Sequence, residues 1–218
     1  MARKLMVGII GLGKFGFRCG EILSQMGNEV LGVDSDPVKV ERAQQVVTQT
    51  FEADATDRKV LEQLGFADMS HVVVSVGSSI EASVMISMYL KELGSAVVLV
   101  KAVSADHEKL LRKLGVDEVV LPEFYAARQL ALRIAIPGFV DFLPFGEDMA
   151  LREVRVDSWA GKSLRQIDMT NQYQVQVIAM KRAAGNRFQL IPGVDEPLQK
   201  NDVLAVMGTA AKLAALKS

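Results

Sequence analysis

The stretch Leu5-Met-Val-Gly-Ile-Ile-Gly-Leu-Gly-Lys-Phe-Gly16, followed after an amphipathic segment ending at Gly27 by Glu29-Val-Leu-Gly-Val-Asp34, decides how this chain is read. The apolar run Leu5–Ile10 has the length and composition of a buried strand, and it delivers the chain into Gly11-x-Gly13-x-x-Gly16 at the start of a helix. A glycine motif standing alone says little. Between a strand and a helix it describes a phosphate-binding turn: Gly11 allows the tight turn, Gly13 lets backbone N–H groups approach a phosphate, and Gly16 lets helix and strand pack closely. The helix N-terminus adds partial positive charge. Asp34, at the end of the second strand, is placed to accept both hydroxyls of a ribose.

Working outward, Ser35-Asp-Pro37 opens a second helix with proline near its first turn, and Thr50-Phe-Glu-Ala53 reads as a short third strand. Asp54-Ala-Thr56 leads into a helix ending at Leu64-Gly65, with Thr56 as the expected N-cap. One device recurs at Gln25-Met-Gly27, Gln63-Leu-Gly65, Glu92-Leu-Gly94 and Lys113-Leu-Gly115, where glycine suits the left-handed position that stops a helix. The strands expected after these stops are Val30–Val33, Val72–Val76, Val97–Val100 and Val119–Leu121. They are β-branched and nearly without alternation, as strands covered on both faces are. Ser78-x-x-Glu81 reads as a capping box for the helix that ends at Leu93. The expected fold class is therefore α/β, with a Rossmann-like doubly wound parallel sheet over residues 1–122.

Residues 123–148 break the alternation. The helix between Pro122 and Pro137 is apolar well round its circumference, so it is expected to be buried on two sides as a crossover helix. The segment Gly138–Gly146 carries three phenylalanines among Gly and Pro, and it is expected to pack against something. From Met149 to Ser218 the pattern becomes short strands and turns, at Ala150–Val156, Val175–Lys181, Phe188–Ile191 and Val203–Met207, closed by a helix over Ala210–Leu216. This reads as a small C-terminal α+β domain over residues 149–218.

Composition narrows the function classes. A length of 218 residues fits one full domain plus a small one, and a 50% hydrophobic content supplies a sizeable core. A net charge of −1 gives no general attraction to nucleic acid or to anionic lipid. The single cysteine, Cys19, cannot form an intrachain disulfide, which fits a reducing cytoplasm, and it reads as a small packed side chain. The N-terminal residues lack a signal-peptide pattern, and no apolar stretch reaches the ~18 residues of a membrane span, so direct membrane insertion is not expected. His71 and His107 are the only histidines, and no Tyr-x-x-x-Lys, His–Asp, Cys–His or clustered zinc-ligand pattern accompanies them. No catalytic residue is assigned, and the nucleotide site reads as a sensor. The competing readings are an NAD-dependent oxidoreductase with a minimal second domain and a redox-sensing transcription regulator, the latter disfavoured because no basic recognition helix is present.

Taken with Val33-Asp34, Ala53-Asp-Ala55, Val74-Ser-Val-Gly77, Val100-Lys101-Ala102 and Leu121-Pro-Glu123, the glycine motif resembles the successive motifs of the Trk/Ktr regulatory subunits, cytoplasmic proteins that regulate K⁺ conductance. The N-terminal half is similar to their nucleotide-binding RCK domain. Met149–Ser218 is similar to their C-terminal RCK domain, with Pro197-Leu-Gln-Lys-Asn-Asp-Val-Leu-Ala-Val-Met-Gly208 as its signature. Members usually carry glycine before the Asp202 position; here it is Asn201, which tolerates a left-handed turn. The resemblance implies a nucleotide lying across the strand ends. Gly11, Leu12, Gly13, Lys14, Phe15 and Gly16 would face its phosphates, Asp34 and Ser35 its adenosine ribose, and Asp54 and Ala55 its adenine. Val76 and Gly77 would line the second half of the site, with Lys101 as a further cationic contact.

Glu123 matches a position implicated in divalent-cation binding between subunits of some members, and it also reads as a capping acid in the first turn of the crossover helix. The ligands implied are ATP and ADP, with NAD(H) a close second, while Asp34 is expected to exclude NADP(H). Lys14 stands where Ktr-like members carry an arginine. The partners implied are a membrane-embedded K⁺-translocating subunit, which would hold the protein at the inner face of the cell membrane, and further copies of the chain. Two copies would exchange the crossover helix, and the dimers would join into an octameric ring.

Overall fold

The computed structural model describes residues 4–77, 79–95, 97–143 and 148–216. Its internal contacts divide the chain into a unit Met1–Pro122 and a unit Glu123–Ser218. The first unit runs β1 (Met6–Ile10), α1 (Lys14–Gln25), β2 (Glu29–Asp34), α2 (Pro37–Ala43), β3 (Gln49–Glu52) and α3 (Arg58–Gln63). After a 3₁₀ turn over Phe66–Asp68 come β4 (His71–Val74), α4 (Ile80–Leu93), β5 (Val98–Lys101), α5 (Ala105–Lys113) and β6 (Glu118–Val120). All strand pairs are parallel, in the order β3-β2-β1-β4-β5-β6.

Successive strand residues alternate between two cores, as the pleat requires. Val7, Ile9, Val30 and Val73 pack under α1 and α2 with Val40 and Ala43, and Cys19 lies against this cluster with its thiol pKa pushed up by burial. Ile10, Val33, Val72 and Val74 pack on the opposite face with Leu61, Ile86, Leu90 and Leu111 of α3, α4 and α5. The four glycine stops have the conformation their pattern demands, with φ of 87°, 71°, 78° and 77° at Gly27, Gly65, Gly94 and Gly115. Two caps differ from expectation. Asp57 caps α3 by accepting from the Lys59 amide, because the Thr56 hydroxyl is turned back to donate to Asp54 Oδ1 at 2.7 Å. Ser79 caps α4 through the Ala82 amide; Ser78, expected there, lies outside the described residues.

The second unit contains α6 (Pro122–Ala135), β7 (Phe139–Phe142), β8 (Met149–Arg155), α7 (Leu164–Ile167), α8 (Met169–Tyr173), β9 (Gln176–Lys181), β10 (Gln189–Leu190), β11 (Val203–Thr209) and α9 (Ala210–Ala215). Its sheet is antiparallel, in the order β10-β9-β11-β8-β7. The aromatic segment after α6 is thus an edge strand, with Phe139 buried, while its Phe145 falls outside the described residues. In the single chain α6 is not covered on two sides. Leu132 packs against the core and Gln129 is buried, but Phe124, Leu130 and Ile134 are 66%, 61% and 76% exposed. Asn201 takes the left-handed conformation with φ 68°.

That turn delivers Asp202, whose carboxylate is wholly buried and accepts from the Ala183 and Gln199 amides and from Arg182, each at 2.9 Å. Burial alone would raise the pKa of this group; the two amides and the guanidinium outweigh it and hold the carboxyl below the usual carboxylate range. We expect Asp202→Ala to destabilise the second unit by about 1–3 kcal/mol, since it removes the buried acceptor shared by two backbone amides and a guanidinium. Because the folded pKa is depressed, this contribution is complete above the unfolded value of about 3.9 and fades as pH falls below it. Urea unfolding of the wild type and the variant at pH 7 and pH 3 checks both the size and the sign.

Candidate functional site

The order of the parallel sheet reverses between β1 and β4, the place where a crevice opens beyond the strand ends in doubly wound folds. A cleft of about 350 Å³ lies there. Of the residues expected to bind a nucleotide, Gly11, Gly13, Asp34, Ser35, Asp54, Ala55, Val76 and Gly77 line it together.

The glycine loop is built for close approach. Gly11 has φ +93°, and a side chain there would meet the Ser75 backbone at 2.8 Å; its amide donates to the Val33 carbonyl at 2.8 Å. A side chain at Gly16 would overlap the Gly11 carbonyl oxygen, so α1 starts hard against the turn. Gly13 differs from both: nothing lies within 4 Å of where its Cβ would be, so the space above it is open. Gly13 is also the N-cap of α1 and supplies no side-chain acceptor, whereas Asp36, Asp57, Ser79 and Ser104 cap α2, α3, α4 and α5. The first-turn amides of α1 therefore meet no side-chain cap at the point where the cleft opens, which is the arrangement that receives phosphate oxygens.

Leu12 departs from expectation. Its side chain is wholly buried against Gly32, and its amide donates to Asp34 Oδ2 at 2.7 Å, so it faces the core and not a phosphate. The Leu12 carbonyl accepts from Arg42 at 3.0 Å, and that guanidinium lies 4.3 Å from the Phe17 ring centroid. Asp34 likewise is not an empty receptor for two hydroxyls. Besides the Leu12 amide, it accepts at Oδ1 from the Asp36 amide at 3.0 Å and from Lys39 at 3.3 Å. A carboxylate offers about four lone-pair sites, which leaves room for roughly one more donor beside these three. Asp54 accepts the Thr56 hydroxyl and then the Thr56 amide, and these bonds, in that order of effect, lower its carboxyl pKa.

Lys14 is exposed at the first position of α1, and Phe15 is half-buried behind it; neither lines the cleft. Lys101, at the end of β5, reaches the margin of the site: its Nζ is 6.0 Å from the Phe15 ring centroid and about 4.0 Å from where a Gly77 Cβ would be. Lys39, Thr56, Ser75, Ala82 and Ile86 also line the cleft, and the sequence did not single them out as ligand-binding residues. Ala82 and Ile86 carried a signal, the i, i+4 spacing that puts both on one face of α4; Lys39 carried none.

The titratable side chains of the lining are Asp34, Lys39 and Asp54, and neither histidine is among them. His107 is buried, its Nδ1 accepting from the Val103 amide at 3.3 Å and its pKa lowered by burial, so it serves the fold as a neutral ring. Glu123 is exposed in the first turn of α6, and no group of three or more His, Cys, Asp or Glu side chains converges among the described residues. The cleft brings together donors, acceptors and apolar walls at the switch point of the sheet.

Comparison with known proteins agrees with this geometry. The family model described as TrkA-N domain matches residues 7–122, and that described as TrkA-C domain matches residues 149–218. The chain is 34% identical over 206 residues to Ktr system potassium uptake protein C of Bacillus subtilis (strain 168), covering 94% of this chain and 92% of that one. It is 30% identical over 207 residues to Ktr system potassium uptake protein A of Vibrio alginolyticus, covering 94% and 93%. Among solved structures, the GsuK channel bound to NAD shares the fold with a TM-score of 0.55 at 18% identity, covering 97% of this chain, which spans 37% of that longer one. The uncapped helix over an open glycine, the twofold division of the chain and the end-to-end match to the Ktr proteins place this chain in the TrkA-N/TrkA-C family of potassium uptake proteins.

Proposed function

We propose that this protein is a nucleotide-sensing regulatory subunit of a K⁺ uptake channel or transporter, a binding protein and not an enzyme, working at the cytoplasmic face of the membrane through a K⁺-translocating partner. The observation that carries the reading is the cleft with open space above Gly13 at the uncapped start of α1, in a chain collinear with the Ktr uptake proteins. Among the described residues no helix is long and apolar enough to cross a membrane, which fits a subunit that acts through a partner. In this reading residues 1–122 bind the nucleotide, 123–148 connect, and 149–218 form the second regulatory domain. Nucleotide binding would change the shape of a ring of subunits, which requires different affinities for two ring shapes. Adenine nucleotides are the first ligands and NAD(H) a close second, the latter supported by the NAD-bound state of the GsuK channel. A divalent cation at Glu123 would need its other ligands from a second copy.

The exposed apolar side of α6 supports self-association. Phe124, Leu130 and Ile134 form the kind of surface that soluble monomers rarely leave open, and a second copy's α6 is the proposed cover.

Three expected outcomes test this reading. Co-expressed with its membrane subunit, the protein raises K⁺ uptake, while steady NADH turnover with a physiological substrate would favour the oxidoreductase instead. Light scattering gives a dimer or larger at micromolar concentration and a folded monomer for Ile134→Asp, which buries an unpaired carboxylate only if the helix is covered. In calorimetry Asp34→Ala weakens ATP and NAD⁺ alike, because it removes a charged acceptor worth ~1.5–3 kcal/mol and releases the Leu12 amide. Lys14→Ala weakens ATP more than NAD⁺, and equal losses would make Lys14 a solvated surface charge.

A further inference from the structure

Asp34 alone would read an unphosphorylated ribose and repel a 2′-phosphate. The structure adds a cation to the same corner. Lys39, in the first turn of α2, lines the cleft next to Ser35, with its Nζ 3.3 Å from Asp34 Oδ1 and 3.4 Å from Asp36 Oδ2. The two partners are held differently. The Asp34 side chain is 9% exposed and fixed by two backbone amides, whereas the Lys39 side chain is 40% exposed and has room to turn. Asp36 is also committed, as the N-cap that accepts from the Val38 amide. The charge of the acid is thus shared among fixed donors, and the ammonium is the member able to redirect. Ser35, exposed on the same wall, adds a hydroxyl donor.

In dinucleotide-binding folds an acid at this position selects the free 2′-hydroxyl, and a nearby cation accommodates the 2′-phosphate; this corner holds both. We infer that Lys39 is the residue that sets discrimination at the adenosine ribose, so that the cleft admits dinucleotides phosphorylated on the 2′-hydroxyl as well as unphosphorylated ones. Two carboxylates share the one ammonium, so the phosphorylated ligand binds the more weakly of the two. The inference rests on the nucleotide-binding reading above, and it replaces the exclusion of NADP(H) expected from Asp34 alone.

The test is the ratio of the NADPH and NADH dissociation constants, measured by direct titration and by mutual competition on the full chain. NADPH competes with NADH for one site in the wild type with a Kd about tenfold higher. Lys39→Met raises the ratio by a further factor of about ten, Lys39→Arg returns it towards the wild-type value, and Ser35→Ala raises it by less. A merely structural lysine would move both constants together and leave the ratio where it was. The inference is overturned if the wild type binds NADH without competition from NADPH, or if Lys39→Met leaves the ratio unchanged. If NADH, NADPH and ATP all fail to bind the wild type, the nucleotide-site reading falls, and this inference with it.

Discussion

The contact between Gly16 and the carbonyl of Gly11 fixes the rest of the N-terminal unit. Because no side chain stands between them, α1 begins directly on the turn that ends β1. A Cβ at residue 16 would push the helix away from the strand, and the amides of its first turn would no longer point over the ends of β1 and β4. From that contact follow the buried position of Leu12, the reach of its peptide to Asp34 and Arg42, and the open space over Gly13.

The Leu12 peptide gives the site a property that its lining alone does not convey. Its amide is held by Asp34 and its carbonyl by Arg42, so β2 and α2 grip the two peptide units that flank the Leu12 Cα. Any ribose hydroxyl that engaged Asp34 would share a carboxylate already bonded to the loop, so the loop would register the arrival of the sugar. In the proposed reading recognition and shape would be linked through a single side chain, with no need for a large local rearrangement. That is a physical route by which a ligand could favour one of two conformations, since only differential interaction with the two can shift their balance.

The legible parts of the sequence were those with a local cause. Gly27, Gly65, Gly94 and Gly115 announced helix ends because their backbone conformation is one that side chains oppose, and the glycine motif announced the turn for the same reason. The caps were less legible, because Thr56 and Asp57, like Ser78 and Ser79, are adjacent residues that can both cap; the Asp54 turn, which takes the Thr56 hydroxyl, leaves the first helix to Asp57. Strand β7 was hidden by the Gly and Pro residues around it. For α6, periodicity identified the apolar residues but could not say whether the same chain covers them. Lys39 was invisible as a site residue because its partner Asp34 is brought to it by the turn into α2, not by a motif.

In the second unit, Arg152 sits on β8 and donates to the carbonyl of Pro137 at 2.8 Å, to that of Leu216 at 3.3 Å, and to that of Leu213. Burial lowers the pKa of this guanidinium, and an arginine keeps its charge in proteins, so the group is a cation among carbonyl oxygens. One side chain thereby fastens the exit of α6 to the C-terminal end of α9. Helix α9 is thus a structural part of this unit's beginning: a change that loosens Leu213 or Leu216 also releases the side chain that holds Pro137, where α6 hands over to the sheet.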